Sequence, residues 1–204
     1  MTGVAEISAA LVKELREATG AGMMDCKRAL VETGGDLEAA RTLLREKGMA
    51  AAAKKSSREA KDGVVLSYLH GSPARLGVLV ELNCETDFVA RTPQFQQLAQ
   101  NLAMQIAAAN PQFIREEDVP EAELERERSI ARAQMAEQKK PPEVLEKIVE
   151  GKLGKYLEQT VLLRQPYIRD ESVKVGDLVT GAIAELGENI VVRRFARFEL
   201  GEGV

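Results

Sequence analysis

Apolar residues recur at helical spacing through the first fifty positions. Ile7, Leu11 and Leu15 repeat every four residues, which predicts one buried helix face. Thr19-Gly20-Ala21-Gly22 then interrupts the pattern with two glycines suited to an interhelical turn. Met24, Ala29 and Leu30 carry a second helix as far as Gly34-Gly35. Asp36 is placed to cap a third, because its carboxylate can accept from first-turn N–H groups; Leu37, Ala40 and Leu44 follow before Gly48. Helices this short are marginal alone, so the three are expected to pack as a bundle. The segment 49–58 has helix propensity but few large apolar groups, and it reads as a partly helical linker with a boundary near residue 55.

Beyond that boundary the period changes. Residues 63–69 and 76–82 are β-branched or apolar runs flanking Gly71-Ser72-Pro73-Ala74, a hairpin pattern. Pro93 suits the first position of a helix capped by Thr92, with Phe95, Leu98, Leu102 and Ile106 on one face until Asn110-Pro111. After Pro120 a highly charged helix carries only a thin stripe of Leu124, Ile130 and Ala133 and is expected to be largely exposed. Pro141-Pro142 interrupts the chain; Val144, Leu145, Ile148 and Val149 then predict a short amphipathic helix, with Leu153, Tyr156 and Leu157 continuing beyond Gly151. Val175, Leu178, Val179, Ala182, Ile183 and Leu186 mark the clearest helix, with Gly187 as its C-cap. Ile190 to Leu200 reads as a long strand, placing Ile190, Val192, Ala196, Phe198 and Leu200 on one face with Arg194 as their exception.

These elements predict an α+β protein: a three-helix bundle with its linker over 1–55, then a core over 56–204 whose three-stranded antiparallel sheet is packed with helices. Such a sheet has two open edges, which helices or a partner chain must cover.

Composition narrows the function classes. In 204 residues, 45% are hydrophobic and 29% charged, which excludes wholesale disorder and fibrous classes. Only 4% are aromatic, with no Trp, so the stacking platforms of a nucleic-acid surface are missing. Twenty-eight Lys and Arg against 32 Asp and Glu give a net charge of −4, which disfavours broad attraction to nucleic acid or anionic lipid. No 18-residue apolar run occurs, and Met1–Glu6 has no basic region leading into an apolar one, so a cytoplasmic location is expected. Cys26 and Cys84 have no close-spaced Cys or His partner; two reduced thiols and no metal or cofactor are expected.

The chemistry-bearing residues are few. The single histidine, His70, ends a predicted strand without an accompanying nucleophile, leaving triad catalysis unsupported. Gly20-Ala21-Gly22 follows a helix and leads into Met23-Met24-Asp25, whereas a phosphate loop follows a strand and leads into Gly-Lys-Ser/Thr. Met23 and Met24 lie about 100° apart on a helix, so the two are not expected to be equally buried; an exposed thioether would suit a protein-contact surface, with Lys27 and Arg28 at its rim. The most informative run is Asn83-Cys84-Glu85-Thr86-Asp87-Phe88-Val89-Ala90-Arg91, between a strand and a helix. It is either a connector, with Thr86 or Asp87 capping a turn and Phe88 and Val89 filling the local core, or a polar-aromatic tip offered to a partner. Glu85 and Asp87 lack a convergent second group, so enzyme chemistry is not expected.

Three long blocks, LVKELREATGAGMMDCKRAL at 11–30, GVLVELNCETDFVA at 77–90 and GENIVVRRFARFEL at 187–200, resemble the bacterial translation elongation factor Ts family. The resemblance implies a non-enzymatic guanine-nucleotide exchange factor for elongation factor Tu, acting in translation elongation without a cofactor. It further implies that residues 11–44 form a bundle similar to ubiquitin-associated domains, with Gly20, Ala21, Gly22, Met23 and Met24 touching the nucleotide-binding domain of Tu. Thr86, Asp87, Phe88 and Val89 match the family motif implicated in displacing Mg²⁺, while Cys84 is expected to be a buried spectator. With one hairpin block, the chain resembles the short form of the family, lacking the coiled-coil insertion of long members; two copies would associate through their sheets and form a two-to-two complex with Tu. The competing class is an assembly or ubiquitin-like binding module without exchange activity.

Overall fold

Ser8 starts the first helix by accepting from Leu11 N through its Oγ at 3.2 Å. This is α1 (Ala9–Thr19), in a computed structural model that describes residues 7–135 and 141–202; the Met1–Glu6 segment, where no leader is expected, lies outside the described residues. Gly20 ends α1 at φ +69°, a conformation that leaves glycine as the unstrained choice, and the chain turns into α2 (Met23–Glu32). Asp36 Oδ1 accepts from Ala39 N at 3.0 Å and starts α3 (Leu37–Lys55), as its position predicts. Val12, Leu15, Cys26, Ala29, Leu30 and Ala40 form the buried centre of these three helices.

Gly48 does not end α3. It is buried within the helix, and a Cβ there would lie 3.7 Å from Thr180 Cγ2 and 3.9 Å from Ala184 Cβ of α8 (Val175–Leu186). The glycine lets two helices approach closely, and the following alanines, strong helix formers, carry α3 to Lys55 in place of the partly helical linker.

The chain divides into two compact units, one of Met1–Leu66, Glu81–Ala99 and Asp177–Arg193, the other of Ser67–Val80, Gln100–Gly176 and Arg194–Val204. Three of the divisions fall inside β1 (Asp62–His70), β2 (Leu76–Cys84) and β5 (Val191–Glu199), which form one antiparallel sheet in the order β1-β2-β5; the other two fall within α8 and within α5 (Pro93–Ala109). Central β2 buries Val78, Val80, Leu82 and Cys84 at alternate positions, the period of a strand with one covered face. In the first unit, α4 (Asp87–Ala90) leads into the start of α5, where Thr92 Oγ1 accepts from Phe95 N at 3.3 Å. Thr92 and Pro93 take the positions predicted for them.

In the second unit, α6 (Glu121–Met135) and α7 (Pro142–Thr160) lie along each other. Arg132 bonds Glu146, Arg128 faces Glu150 and Tyr156 donates to Glu123, so partners run in opposite directions and the pair is antiparallel. The two helices expected after Pro120 and Pro142 thus pack as a pair. α7 also continues unbroken through Gly151, because Val149, Leu153 and Leu157 keep one buried face across it. On α6 Leu124 packs on the buried Val119, Leu153, Leu157 and Val161 as expected, but the buried position further along is Ala131, whereas Ile130 and Ala133 are exposed. A small ladder of β3 (Pro166–Tyr167) and β4 (Asp170–Lys174) was not predicted. Buried Gln105 supports it, donating from Nε2 to Gln165 Oε1 at 3.1 Å and accepting from Ile168 N at 2.9 Å. At the end of β5 the expected apolar face is not covered: Ile190 and Val192 are buried, but Phe198 and Leu200 are exposed. Arg197 is drawn inward instead, donating from Nε to Ala107 O at 3.3 Å and pairing with Glu202 at 2.8 Å. No helix among the described residues is long and apolar enough to cross a membrane.

Candidate partner-binding site

Where β2 ends, Cys84 Sγ donates to Thr86 O at 3.1 Å and the thiol is buried. Burial, reinforced by the Glu188 carboxylate, pushes its pKa up to about 11, so it stays an uncharged thiol. Thr86 is extended, at φ −133° and ψ 154°, and its Oγ1 accepts from Val89 N at 3.4 Å, capping the single turn of α4. Thr86, and not Asp87, is thus the cap. Phe88 and Ala90 are two helical positions apart, about 200° around the axis, so burying Ala90 sends Phe88 outward; its residue surface is 79% exposed. Val89 is half-buried. Asp87 pairs locally with Arg91 at 2.7 Å, both partly open to solvent, a pair weak enough to be exchanged for another partner.

Behind the turn, Glu188 accepts from Glu85 N at 2.9 Å and Thr86 N at 3.0 Å through one carboxylate oxygen, and from Thr86 Oγ1 at 2.6 Å through the other. Glu85 answers by accepting from Asn189 N at 2.6 Å. The buried Asn189 donates from Nδ2 to Arg58 O at 2.7 Å. The sequence reading singled out neither Glu188 nor Asn189. Their signal was a polar pair between Gly187, which caps α8 at φ +78°, and the buried Ile190.

Gly20 and Gly22 flank Ala21 in the turn between α1 and α2, with Gly22 as the N-cap of α2. Both methionines that follow are exposed, Met23 at 56% and Met24 at 64%, against the expectation that they would differ. They occupy the first two positions of α2, ahead of the turn that begins the buried set at Cys26. Met23 borders an open depression with Lys13, Arg16, Gly20, Gln94 and Glu185, a mix of thioether and long charged side chains that suits a protein surface better than a small-molecule pocket. Lys27 and Arg28 are exposed beside it, Arg28 in an ion pair with Asp25. His70 is exposed and hydrogen-bonds Tyr68, with no nucleophile joined to it. Among the described residues no cluster of His, Cys, Asp or Glu could hold a metal ion.

A family model described as Elongation factor TS matches residues 36–202. The chain belongs to the elongation factor Ts family. It is 58% identical over 201 residues to the elongation factor Ts of Anaeromyxobacter sp. (strain Fw109-5), covering 98% of this chain and 91% of the relative. It is 59% identical over 198 residues to that of Caldanaerobacter subterraneus subsp. tengcongensis, covering 97% of this chain and 98% of the relative. These alignments reach across the elongation factor Ts sequences nearly end to end, so the α1–α2 turn and the α4 turn both fall within the shared length.

Proposed function

We propose that this chain is the guanine-nucleotide exchange factor of elongation factor Tu: it binds Tu carrying GDP, promotes loss of Mg²⁺ and GDP, and holds nucleotide-free Tu until GTP binds. Such a factor makes and breaks no covalent bond and is not an enzyme in that sense. Its work is differential binding. Preferring nucleotide-free Tu over Tu–GDP weakens GDP binding by the same factor, and a preference of about 10⁴ corresponds to about 5.5 kcal/mol.

The carrying observation is Phe88, a large apolar side chain exposed on a short helix whose base is tied down by Thr86 and Glu188. It has little to do for its own fold and is held ready as a wedge for an apolar seam of Tu. Asp87, in a weak local pair, exchanges Arg91 for groups that organise the Mg²⁺ shell and phosphate loop; loss of the ion leaves the diphosphate charge unneutralised. Thr86 and Val89 set the turn. Gly20, Ala21, Gly22, Met23 and Met24 grip the nucleotide-binding domain of Tu, within a 1–55 module similar to ubiquitin-associated domains. The remaining 56–204 region supplies the wedge and a dimer contact, giving a two-to-two complex in the cytoplasm with no direct nucleic-acid or membrane binding. Exposed Leu69, Leu79, Phe198 and Leu200 support the dimer.

Stopped-flow release of fluorescent GDP from Tu tests the reading. Substoichiometric factor is expected to accelerate release over many turnovers. A stable complex with an unchanged GDP off-rate would favour the binding module instead.

A further inference from the structure

The hydrogen bonds behind α4 are unusually concentrated on two consecutive residues. Glu188 is a single carboxylate receiving three donors, two from backbone and one from a hydroxyl, at 2.6 to 3.0 Å. Neutral acceptors would form weaker bonds in the same place, because an ionised acceptor roughly doubles the strength of each. The donors belong to Glu85 and Thr86, the two residues immediately before the helical turn that carries Phe88. Thr86 is engaged from both sides: its Oγ1 donates its proton to Glu188 and accepts from Val89 N. One hydroxyl has one proton to give, so the Glu188 bond fixes the rotamer that leaves the lone pair aimed at α4.

We propose that Glu188 is a positioning residue for nucleotide exchange: its carboxylate sets the orientation of the α4 turn and hence the direction in which Phe88 is presented to a partner. Asn189 extends the device. Its backbone N–H is held by Glu85, and its side chain holds Arg58 O, three residues past the end of α3. The Glu188-Asn189 pair therefore ties together the base of the Phe88 turn and the segment leaving the helical bundle. An exposed single-turn helix has no internal means of keeping its direction, since one turn is below the length that is stable alone. Anchoring at its base replaces the missing length.

The inference rests on the exchange reading, and the test separates the two. Glu188→Gln keeps size but replaces one acceptor oxygen by an NH₂ donor that faces donors. Three quantities are measured on the full chain: amide hydrogen exchange at Glu85 and Thr86, the denaturant midpoint, and the maximal rate of catalysed GDP release from Tu at saturating factor, each in wild-type and Phe88→Ala backgrounds. Faster exchange at the two amides is expected, with maximal release falling on the order of tenfold to a hundredfold, the scale of a misplaced group in an otherwise intact site. In the Phe88→Ala background the same Glu188→Gln change should slow release less than twofold, because a residue acting through Phe88 has nothing left to orient. Wild-type release by a folded Glu188→Gln protein would overturn the proposal. So would an equal fold-loss in both backgrounds, which marks a role that does not pass through Phe88. If Glu188→Gln fails to fold, Glu188→Asp, which retains the charge but withdraws it by one methylene, undergoes the same cycle with the same criteria. Failure of the wild-type chain to accelerate release at all would instead sink the exchange reading.

Discussion

Phe88 and Phe95 are the same side chain seven positions apart, one 79% exposed and the other wholly buried, so truncating each measures a different quantity. Phe95→Ala removes core packing and is expected to cost about 3 to 5 kcal/mol. Phe88→Ala forfeits little burial and should change unfolding by under about 1 kcal/mol, while lowering GDP release from Tu at saturating factor. Denaturant unfolding beside catalysed release checks both, and a large stability loss with unimpaired release in Phe88→Ala would return Phe88 to the core. Cys84 offers a separate test through pH. Its thiol titrates near 9.0 when unperturbed and is pushed to about 11 in the fold. Below pH 9 both states carry the proton and no pH dependence arises. Between about 9 and 11 the unfolded chain ionises first, so stability falls as pH rises; above about 11 both are ionised and the slope vanishes. Denaturant midpoints should therefore drop across that window, and Cys84→Ala should flatten the drop even though its absolute stability is lower.

Among the elements, α7 carries two glycines, Gly151 and Gly154, and a Cβ at either would meet nothing within 4 Å. Alanine at both positions should add about 1 to 2 kcal/mol of helix propensity, raising the thermal midpoint. The same test on α3, Gly48→Ala, places a methyl at ordinary contact distance from Thr180 and Ala184 and is expected to be neutral to stabilising, whereas Gly48→Leu should destabilise by overpacking. These glycines also show why some elements were legible in the sequence and others were not. Local chemistry announces a terminus when the cap is a side chain, as at Asp36 and Thr92 and, at the start of α1, Ser8. Glycine is ambiguous: at Gly20 and Gly187 it adopts positive φ and ends a helix, while Gly48 remains helical and serves a close approach. Only the tertiary contact distinguishes the two. The same holds for β3 and β4, whose short ladder depends on Gln105 more than sixty residues earlier in the chain. The Phe88 turn was legible because Thr86 and Pro93 bracket it locally. Its anchor was not, because Glu188 lies about a hundred residues away and one glutamate in a loop resembles any other.

For the whole molecule, the question is what covers the open ends of the sheet. In the second unit β2 buries Val78 and Val80, and alternation turns Leu79 to the opposite face. Leu69 lies on that same side, since a Cβ on Gly77 would come within 3.3 Å of its Cδ2. Phe198, 71% exposed, and Leu200 continue the apolar character at the end of β5, where Leu200 N donates to Arg75 O. Large apolar side chains left exposed on a sheet are what a partner surface covers, and the same face on a second copy is self-complementary under two-fold symmetry. Light scattering at micromolar concentration is expected to give about twice the 22.3 kDa chain mass. Phe198→Glu places a charge in that contact, where desolvation without a partner is costly, and should yield a folded monomer with an unchanged circular dichroism spectrum. Reductant should leave the mass of the wild-type chain as it is, because both cysteines are buried thiols. A sharp monomer peak from the wild-type chain across that concentration range, or a Phe198→Glu protein that stays dimeric, would assign the exposed apolar strand ends to some other partner.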